Sequence, residues 1–182
     1  MEFNLLEIKL NSMADSDILF VLNLPPPYGG GEILNSYLYE KLNRKYNFIL
    51  ISRKNHNKSK QGRLLFSNIY LALKIIVFII LVCVRNKIKI LFLGIPKEFF
   101  PFLRTSLIIH IVHFIRIKII GDLHGMGFNF LTSKLKEKYL YITINKLHSM
   151  RVLSCTIASN IYNSNCRTEL KVIDNGIAIL NQ

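Results

Sequence analysis

The sequence predicts an α/β protein with one parallel sheet and helices on both of its faces. Short, nearly continuous apolar runs alternate along the chain with longer segments whose apolar residues recur at helical spacing. Polar stretches rich in glycine or proline follow several of the short runs. Strands that alternate with helices imply right-handed crossovers and therefore a parallel sheet. The chain has 182 residues, of which 51% are hydrophobic, and this is enough material for one full core.

Six strands are predicted after a lead-in that covers residues 1–16. The first, Ile18–Asn23, is an apolar run typical of a strand that is buried on both faces. The other predicted strands are Phe48–Ser52, Ile88–Leu93, Ile117–Ile120, Arg151–Ser154 and Leu170–Ile173. The predicted helices are Ile33–Leu42, Leu64–Val84, Phe99–Ile115 and Phe130–Ser149, with a short helical stretch after Ser154. Residues 17–182 therefore form one predicted domain.

The segment Leu64–Val84 is the most apolar part of the chain. A membrane span needs about 20 apolar residues, and this segment reaches that length only by including Ser67, Asn68 and Lys74. A buried helix between two strands gives the same pattern. We therefore expect a buried or membrane-grazing helix, and a single transmembrane helix over residues 64–84 is the less favoured alternative.

The charge is strongly basic and unevenly distributed. The chain has 24 Lys and Arg against 11 Asp and Glu, a net charge of +13, and no acidic residue lies between Glu40 and Glu98. One short polar segment holds Arg53, Lys54, Lys58, Lys60 and Arg63. Such a segment attracts polyanions, namely anionic lipid headgroups, pyrophosphate groups or nucleic acid, or it is only a solvated loop. Nucleic acid is the weakest of these readings because no aromatic residues are interleaved.

The cysteines and histidines predict neither a disulfide framework nor a metal site. Cys83, Cys155 and Cys166 are odd in number and lack C-x-x-C spacing, which favours a reducing compartment. His110 and His113 share one face of a predicted helix, but no third ligand is evident nearby. We interpret this pair as histidines at the edge of the core.

The stretch PPPYGGGEIL, residues 25–34, joins the first strand to the first helix. Gly29, Gly30 and Gly31 lack Cβ atoms, so a ligand can approach their backbone N–H groups at a helix N-terminus. Glu32 would compete with a bare anion there, which favours a polar or sugar ligand beside a phosphate. The alternative is a tight strand-to-helix turn that requires glycine.

The stretch GDLHGMG, residues 121–127, follows the fourth predicted strand. If the backbone is still extended, Asp122 and His124 point to the same side. A histidine oriented by a carboxylate can exchange a hydrogen bond with a reacting hydroxyl. The glycines at 121, 125 and 127 are expected to leave room around the ring. The alternative is a loop histidine with no chemistry.

These motifs, in the order in which they occur along the chain, resemble those of the amino-terminal half of family-4 glycosyltransferases of the GT-B fold. In that family the amino-terminal half is a Rossmann-like domain. The family pattern P-x-x-G-G-x-E is similar to Pro26, Gly29, Gly30 and Glu32, and the family histidine after the fourth strand is similar to His124. VLSCTIASNIY and VIDNGIA, the latter containing Asn175, are similar to two further family motifs. Asp174, Ala178 and Gly125 depart from the family pattern.

The resemblance implies a transferase that moves a sugar from a nucleotide-sugar donor to a lipid-linked acceptor in cell-surface polysaccharide synthesis. It implies His124 as the catalytic residue. It implies substrate binding by Gly29, Gly30, Gly31, Asp122, Gly125 and Asn175. No metal or prosthetic group is implied.

The resemblance also sets expectations about the partners and the location of residues 17–182. The nucleotide sugar is expected on a second domain, or on a separate donor-binding chain, without which these residues are inactive. The basic segment and the apolar helix are expected at the cytoplasmic face of an anionic membrane. The alternatives are a non-catalytic remnant and a membrane-associated binding module.

Overall fold

The structure is a computed structural model that describes residues 6–10, 17–24, 30–43, 48–53, 66–125, 127–129, 131–162 and 165–173. The strands are β1 (Leu6–Leu10), β2 (Ile18–Leu22), β3 (Phe48–Arg53), β4 (Ile90–Ile95), β5 (Lys118–Leu123), β6 (Ser149–Val152) and β7 (Glu169–Val172). The helices are α1 (Gly30–Asn43), α2 (Phe66–Arg85), α3 (Phe99–Phe114), α4 (Lys134–Ile144) and α5 (Cys155–Ile161).

The seven strands form one sheet in the order β1-β3-β2-β4-β5-β6-β7. The strands from β2 to β7 are parallel to their neighbours, and β1 pairs antiparallel with β3 at the edge. Numbered along the chain, the parallel strands follow the order 2-1-3-4-5-6, which extends a known doubly wound order by one strand. The predicted α/β class with a Rossmann-like parallel sheet is confirmed.

The edge strand β1 is not predicted by the sequence analysis, which treats residues 1–16 as a lead-in. Its sequence LEIKL alternates apolar and polar residues, which is the strand period. The run is short, and alternation of this kind is typical of antiparallel strands. The sheet is therefore not purely parallel, because its first strand runs against β3.

Helices cover both faces of the sheet, as predicted. Alternate residues of β2 point to opposite faces: Leu19 belongs to the large core, and Phe20 and Leu22 belong to a smaller one. The large core includes buried residues of α2, α3, α4 and α5. The smaller core is covered by α1 through Leu38 and Leu42. The chain moves from β2 to β3 in one direction across the sheet and from β3 to β4 in the other. Because both connections are right-handed crossovers, α1 and α2 lie on opposite faces of the sheet.

The boundaries of α4 differ from the prediction for a local reason. The prediction begins this helix at Phe130 and ends it at Ser149, whereas α4 begins at Lys134. The Ser133 side chain accepts a hydrogen bond from the Lys136 backbone N–H and so caps the helix. The chain turns after Ile144, and Ser149 already belongs to β6. The predicted fifth strand, Arg151–Ser154, therefore begins and ends two residues later in the sequence than the observed strand β6.

The apolar helix α2 buries one side and exposes another. Ile75, Ile76, Ile79 and Cys83 are buried in the large core, and burial raises the pKa of the Cys83 thiol to about 12. Among the residues of α2 whose burial is described, four exposed apolar residues lie on the opposite side, and we call them the α2 stripe: Leu73, Val77, Leu81 and Val84. Within the part of the chain that the structure describes, no helix has both the length and the apolar character needed to cross a membrane.

Two strand glycines give a matched prediction about packing. A Cβ on Gly121 would lie 2.9 Å from Leu147 Cδ1 and 3.1 Å from Ile95 Cγ1, whereas a Cβ on Gly94 would meet nothing within 4 Å. We expect Gly121→Ala to lower the free energy of unfolding by about 1–3 kcal/mol through overpacking. Gly94→Ala should leave it unchanged or raise it slightly. Urea unfolding of both variants measures the difference, and equal stabilities would contradict the packing seen at Gly121.

A polar network joins α3 to α4 and includes His110. Ser106 Oγ lies 2.6 Å from Tyr139 Oη and 3.0 Å from Thr143 Oγ1, and Thr143 Oγ1 lies 3.5 Å from His110 Nε2. His113 has a different partner from His110: its Nδ1 lies 3.2 Å from the Lys146 carbonyl oxygen. Within the described residues, no group of three or more His, Cys, Asp or Glu side chains is placed to hold a metal ion.

His110 gives a prediction about pH. Burial lowers the pKa of His110 below its usual 6.5, and the charges of Lys146 and His113 lower this pKa further. In the unfolded chain the ring takes up its proton at a higher pH than in the folded chain. The folded state therefore loses stability as pH falls through about 6.5. We expect the free energy of unfolding to drop less between pH 7.5 and pH 5.5 in His110→Gln than in the wild type. An identical drop would contradict this assignment.

Candidate functional site

Polar residues meet where the parallel strands end. In doubly wound sheets, ligands bind beyond the carboxyl ends of the strands, at the point where the strand order reverses. Here that point lies between β2 and β4, since β2 connects to β3 on one side and β4 connects to β5 on the other. Asn23 directly follows β2 at this point, and Asp122 and His124 lie at the carboxyl end of β5, one strand beyond β4.

A buried ion pair anchors the site. Asp122 and Arg151 are direct neighbours in the register of β5 and β6. Asp122 is fully buried, and Arg151 is 8% exposed. Arg151 donates from Nε to Asp122 Oδ1 at 2.6 Å and from Nη2 to Asp122 Oδ2 at 2.9 Å. This two-pronged geometry is the strongest form of the arginine–carboxylate interaction.

His124 contacts the same carboxylate. Its Nε2 lies 2.9 Å from Asp122 Oδ2. The structure therefore places Asp122 and His124 on the same side of the chain, which follows from their spacing of two residues in extended backbone. One detail of the prediction is wrong: Asp122 lies inside β5, which ends at Leu123, rather than after a strand that ends at Ile120.

Asn35 of α1 completes the contacts of the His124 ring. Its side chain is almost completely buried. Asn35 Nδ2 donates to the backbone carbonyl of Asn23 at 3.0 Å, and Asn35 Oδ1 lies 3.1 Å from His124 Nε2. The donation to Asn23 fixes which end of the amide faces the ring. Asn35 therefore joins the helix that covers one face of the sheet to the ends of β2 and β5.

The neighbours of the ring assign its tautomer. Both partners of His124 Nε2, Asp122 Oδ2 and Asn35 Oδ1, are acceptors, so Nε2 carries the hydrogen. In the neutral ring the lone pair is then on Nδ1. His124 Nδ1 is shielded from solvent and has no hydrogen-bond partner among the described residues. Its lone pair is therefore an unused hydrogen-bond acceptor at this site.

The glycines around the site have different roles. A Cβ on Gly31 would lie 3.7 Å from His124 Cγ, so the start of α1 lies directly against the ring, whereas a Cβ on Gly30 would meet nothing within 4 Å. Gly125 has φ +103°, which favours glycine and turns the chain sharply after His124. Gly121 does not leave room around His124, because it packs against Leu147 in the large core. That part of the prediction is wrong.

The segments that follow β4 and β5 are joined by a hydrogen bond. The Asn129 backbone N–H donates to the Lys97 carbonyl at 3.0 Å. The Lys97 side chain passes within 3.7 Å of the position that a Cβ on Gly125 would occupy. Lys97 is exposed, so one cation stands at the edge of the site.

Several of the predicted residues lie outside the described part of the chain. They are Gly29, Lys54, Lys58, Lys60, Arg63 and Asn175, together with Pro26 of the family pattern. Arg53 is the last residue of β3. The structure brings together Asp122, His124, Gly31 and Gly125, and the roles assigned to them remain predictions.

Asn35 and Arg151 belong to the site but are not among the residues predicted from the sequence. A signal was present for Arg151: in the run SMRV, all four residues of β6 are buried, and a charge in such a strand requires a buried partner. Asp122 in the neighbouring strand is that partner. The signal for Asn35 is weaker: it is a polar residue on the side of α1 that faces the sheet, and a polar residue there requires a hydrogen-bond partner.

The fold and this site define a Rossmann-like α/β protein with a histidine–aspartate–arginine group at the carboxyl ends of β5 and β6, whose histidine contacts α1 beside the switch point of the sheet. Compared with protein-family models and with curated proteins, the chain matches none of them.

Proposed function

We propose that the chain is the acceptor-side half of a GT-B, family-4-like glycosyltransferase, which moves a sugar from a nucleotide-sugar donor to a lipid-linked acceptor. One observation carries the proposal: His124, held by Asp122 at the end of β5, lies directly against the glycine start of α1 at the switch point. A histidine and a bare helix N-terminus at this place suit a sugar hydroxyl beside a phosphate group.

The proposed chemistry uses the lone pair on His124 Nδ1. A hydroxyl of the acceptor donates its hydrogen to Nδ1, while its oxygen forms the new bond to the anomeric carbon of the donor sugar. The bond from that carbon to the phosphate breaks, and the nucleotide diphosphate leaves with the electron pair. Asp122 orients the ring through its contact with Nε2, which leaves the lone pair on Nδ1. The nucleotide itself is held by a second, donor-binding domain.

The experiment that tests this function measures acceptor binding. Vesicles that contain a polyprenyl-pyrophosphate-linked sugar should bind the chain more tightly than the same vesicles without it. His124→Gln should reduce that difference, because the amide does not reproduce the Nδ1 lone pair. Equal binding of the two kinds of vesicle by the wild type would contradict the proposal.

Membrane association is part of the proposal, and the α2 stripe supports it. Four exposed apolar side chains lie along one side of a helix in a chain of net charge +13. Lys74 and Arg85 on the same helix are exposed as well. Apolar side chains enter the headgroup boundary, and each Lys or Arg near an anionic surface contributes about 1 kcal/mol. We propose that this helix rests on the cytoplasmic face of the inner membrane.

The α2 stripe gives a prediction about vesicle binding. Val77→Glu combined with Leu81→Glu should weaken binding to anionic vesicles by about tenfold or more, because two apolar side chains are lost from the contact and two negative charges repel the surface. Leu135→Glu is the matched control, since Leu135 is an exposed apolar residue of α4. Co-sedimentation measures both, and equal losses in the two variants would contradict a specific role for α2.

A non-catalytic, membrane-associated binding module is the second candidate, and the same α2 stripe favours it. Such a module would bind anionic vesicles through α2 and would be indifferent to the lipid-linked sugar. It would also be unaffected by His124→Gln. The two candidates therefore differ in the vesicle experiment with and without the acceptor lipid.

A further inference from the structure

Asn35 reaches the site from a part of the chain that is distant in sequence. It lies in α1, 89 residues before His124, and its side chain is buried. We infer that Asn35 is a positioning residue, which holds the His124 ring against the start of α1 and selects the ring edge that faces this helix. The inference deepens the proposed function and rests on it only for the expected effect on sugar transfer.

Both ends of the Asn35 amide are used. Its Nδ2 donates to the backbone carbonyl of Asn23 at 3.0 Å, and its Oδ1 lies 3.1 Å from His124 Nε2. A rotated amide would place its NH₂ group against the ring N–H and its oxygen against the Asn23 carbonyl oxygen, so neither end would keep a hydrogen bond. A buried polar group that loses its partners is costly, and the amide is therefore fixed in one orientation.

The His124 ring lies along one face of α1. Gly31 and Asn35 are four residues apart in the helix, so they are neighbours on that face. A Cβ on Gly31 would lie 3.7 Å from His124 Cγ and 3.8 Å from its Cδ2, and Cδ2 is bonded to the Nε2 that contacts Asn35. The ring edge that carries Cγ, Cδ2 and Nε2 therefore faces α1, and the edge that carries Nδ1 and Cε1 faces away from it.

Asp122 and Asn35 hold the ring from different parts of the chain. Among the described residues they are its two polar partners, and both contact Nε2. A ring flipped about its Cβ–Cγ bond would present Cε1 in place of Nε2 and would lose both contacts. Asp122 belongs to the same strand end as His124. Of the two partners, Asn35 is therefore the one that fixes the ring relative to α1, whose glycine start is proposed to lie beside a phosphate group of the ligand.

The alternative is a purely structural role, in which the Asn35 amide only fastens α1 to the end of β2 through Asn23. Asn145 is a matched case of such fastening. Its Nδ2 donates to the Asn165 carbonyl at 2.8 Å, and its Oδ1 accepts from the Arg167 backbone N–H at 2.8 Å. These contacts join the end of α4 to the segment before β7 and do not involve the ring.

The test reads the contact between the ring and α1 by NMR in the full chain. One Gly31 hydrogen occupies the position that a Cβ would take, beside the ring. We therefore expect a nuclear Overhauser effect (NOE) between this hydrogen and Hδ2 of His124 in the wild type. The two signals are assigned by their loss in Gly31→Ala and His124→Gln.

We expect this NOE to be lost in Asn35→Leu and kept in Asn145→Ala. Leucine fills a similar space and lets α1 pack, but it has no polar atom for the ring or for Asn23, and Asn23 is exposed so that water can replace the lost donor. Asn35→Ser is measured in the same way if Asn35→Leu fails to fold, because its hydroxyl is too short to reach the ring.

Sugar transfer with the donor-binding domain gives a second readout. We expect Asn35→Leu to lower kcat by about tenfold to 10²-fold, because small displacements of a reacting group are that costly. The KM for the acceptor should change by less than about twofold, since Asn35 is assigned no contact with the acceptor. Asn145→Ala should change neither. An unchanged kcat in a variant that has lost the NOE would contradict a positioning role in transfer.

Three NMR results would overturn the inference. The first is a wild type without the NOE between His124 and Gly31. The second is a folded Asn35→Leu or Asn35→Ser that keeps the NOE, and the third is an Asn145→Ala that loses it as well. None of these readouts uses a sugar donor or an acceptor lipid. A chain without transferase activity can therefore still show the expected contact, and the proposed function fails in a different experiment.

Discussion

His124→Gln should reduce sugar transfer by about 10²–10⁴-fold when the chain works together with its donor-binding domain. The estimate is the usual contribution of a positioned acid or base. The reason lies in the tautomer: Asp122 and Asn35 both accept from Nε2, so Nδ1 carries the lone pair that the hydroxyl needs. The measurement is the initial rate of transfer from a labelled nucleotide sugar, with the amount of folded protein determined by circular dichroism.

His148→Gln is the matched control for this prediction. His148 is exposed and directly precedes β6, so it lies at the amino end of that strand, whereas His124 lies at the carboxyl ends of the strands. We expect the control to transfer at the wild-type rate. A loss of similar size in both variants, or an unchanged rate in His124→Gln, would show that His124 has no part in the reaction.

Asp122→Ala should lower the free energy of unfolding by about 3–5 kcal/mol. This is the usual cost of removing one partner of a buried ion pair, because the other charge remains in the interior without compensation. Here the remaining charge is the Arg151 guanidinium, which is 8% exposed. Because small domains are stable by only about 5–15 kcal/mol, this variant should lose a large part of its stability. Chemical unfolding in urea measures the effect.

The exposed pair between Lys89 and Asp17 provides the control. Its side chains lie 3.0 Å apart and are 73% and 58% exposed, so Asp17→Ala should cost less than about 1 kcal/mol. Asp122→Asn combined with Arg151→Gln should recover much of the loss seen in Asp122→Ala. Equal costs for Asp17→Ala and Asp122→Ala would mean that the buried pair contributes nothing to the fold.

The arrangement of strands and helices could be predicted because both leave a periodic signal. β2 and β4 are short apolar runs, whereas α2 and α3 are long ones, so the length of each run indicates whether it is a strand or a helix. β1 could not be predicted in this way, because its five residues form a strand only by pairing with β3. Boundaries were displaced where capping decided them, as at Ser133.

The site could be predicted only in part, for a different physical reason. Asp122 and His124 are two residues apart, and local backbone geometry alone places them on the same side. Asn35 and Arg151 reach the site from α1 and β6, at sequence separations of 89 and 29 residues. Their contacts depend on the register of β5 with β6 and on the packing of α1, neither of which periodicity fixes. Gly121 was misassigned because its neighbours, Ile95 and Leu147, come from other elements.

A transfer assay with a panel of nucleotide sugars tests most directly whether this fold binds the acceptor of a glycosyltransferase. Membranes that contain the chain and its donor-binding domain are given labelled UDP-, GDP- and ADP-sugars, and label is followed into the lipid fraction. We expect transfer from at least one donor, and we expect this transfer to be lost in His124→Gln and retained in His148→Gln. Two results would contradict the claim that this fold binds the acceptor of a glycosyltransferase. One is that the wild type transfers sugar from none of the donors, and the other is that transfer persists in His124→Gln.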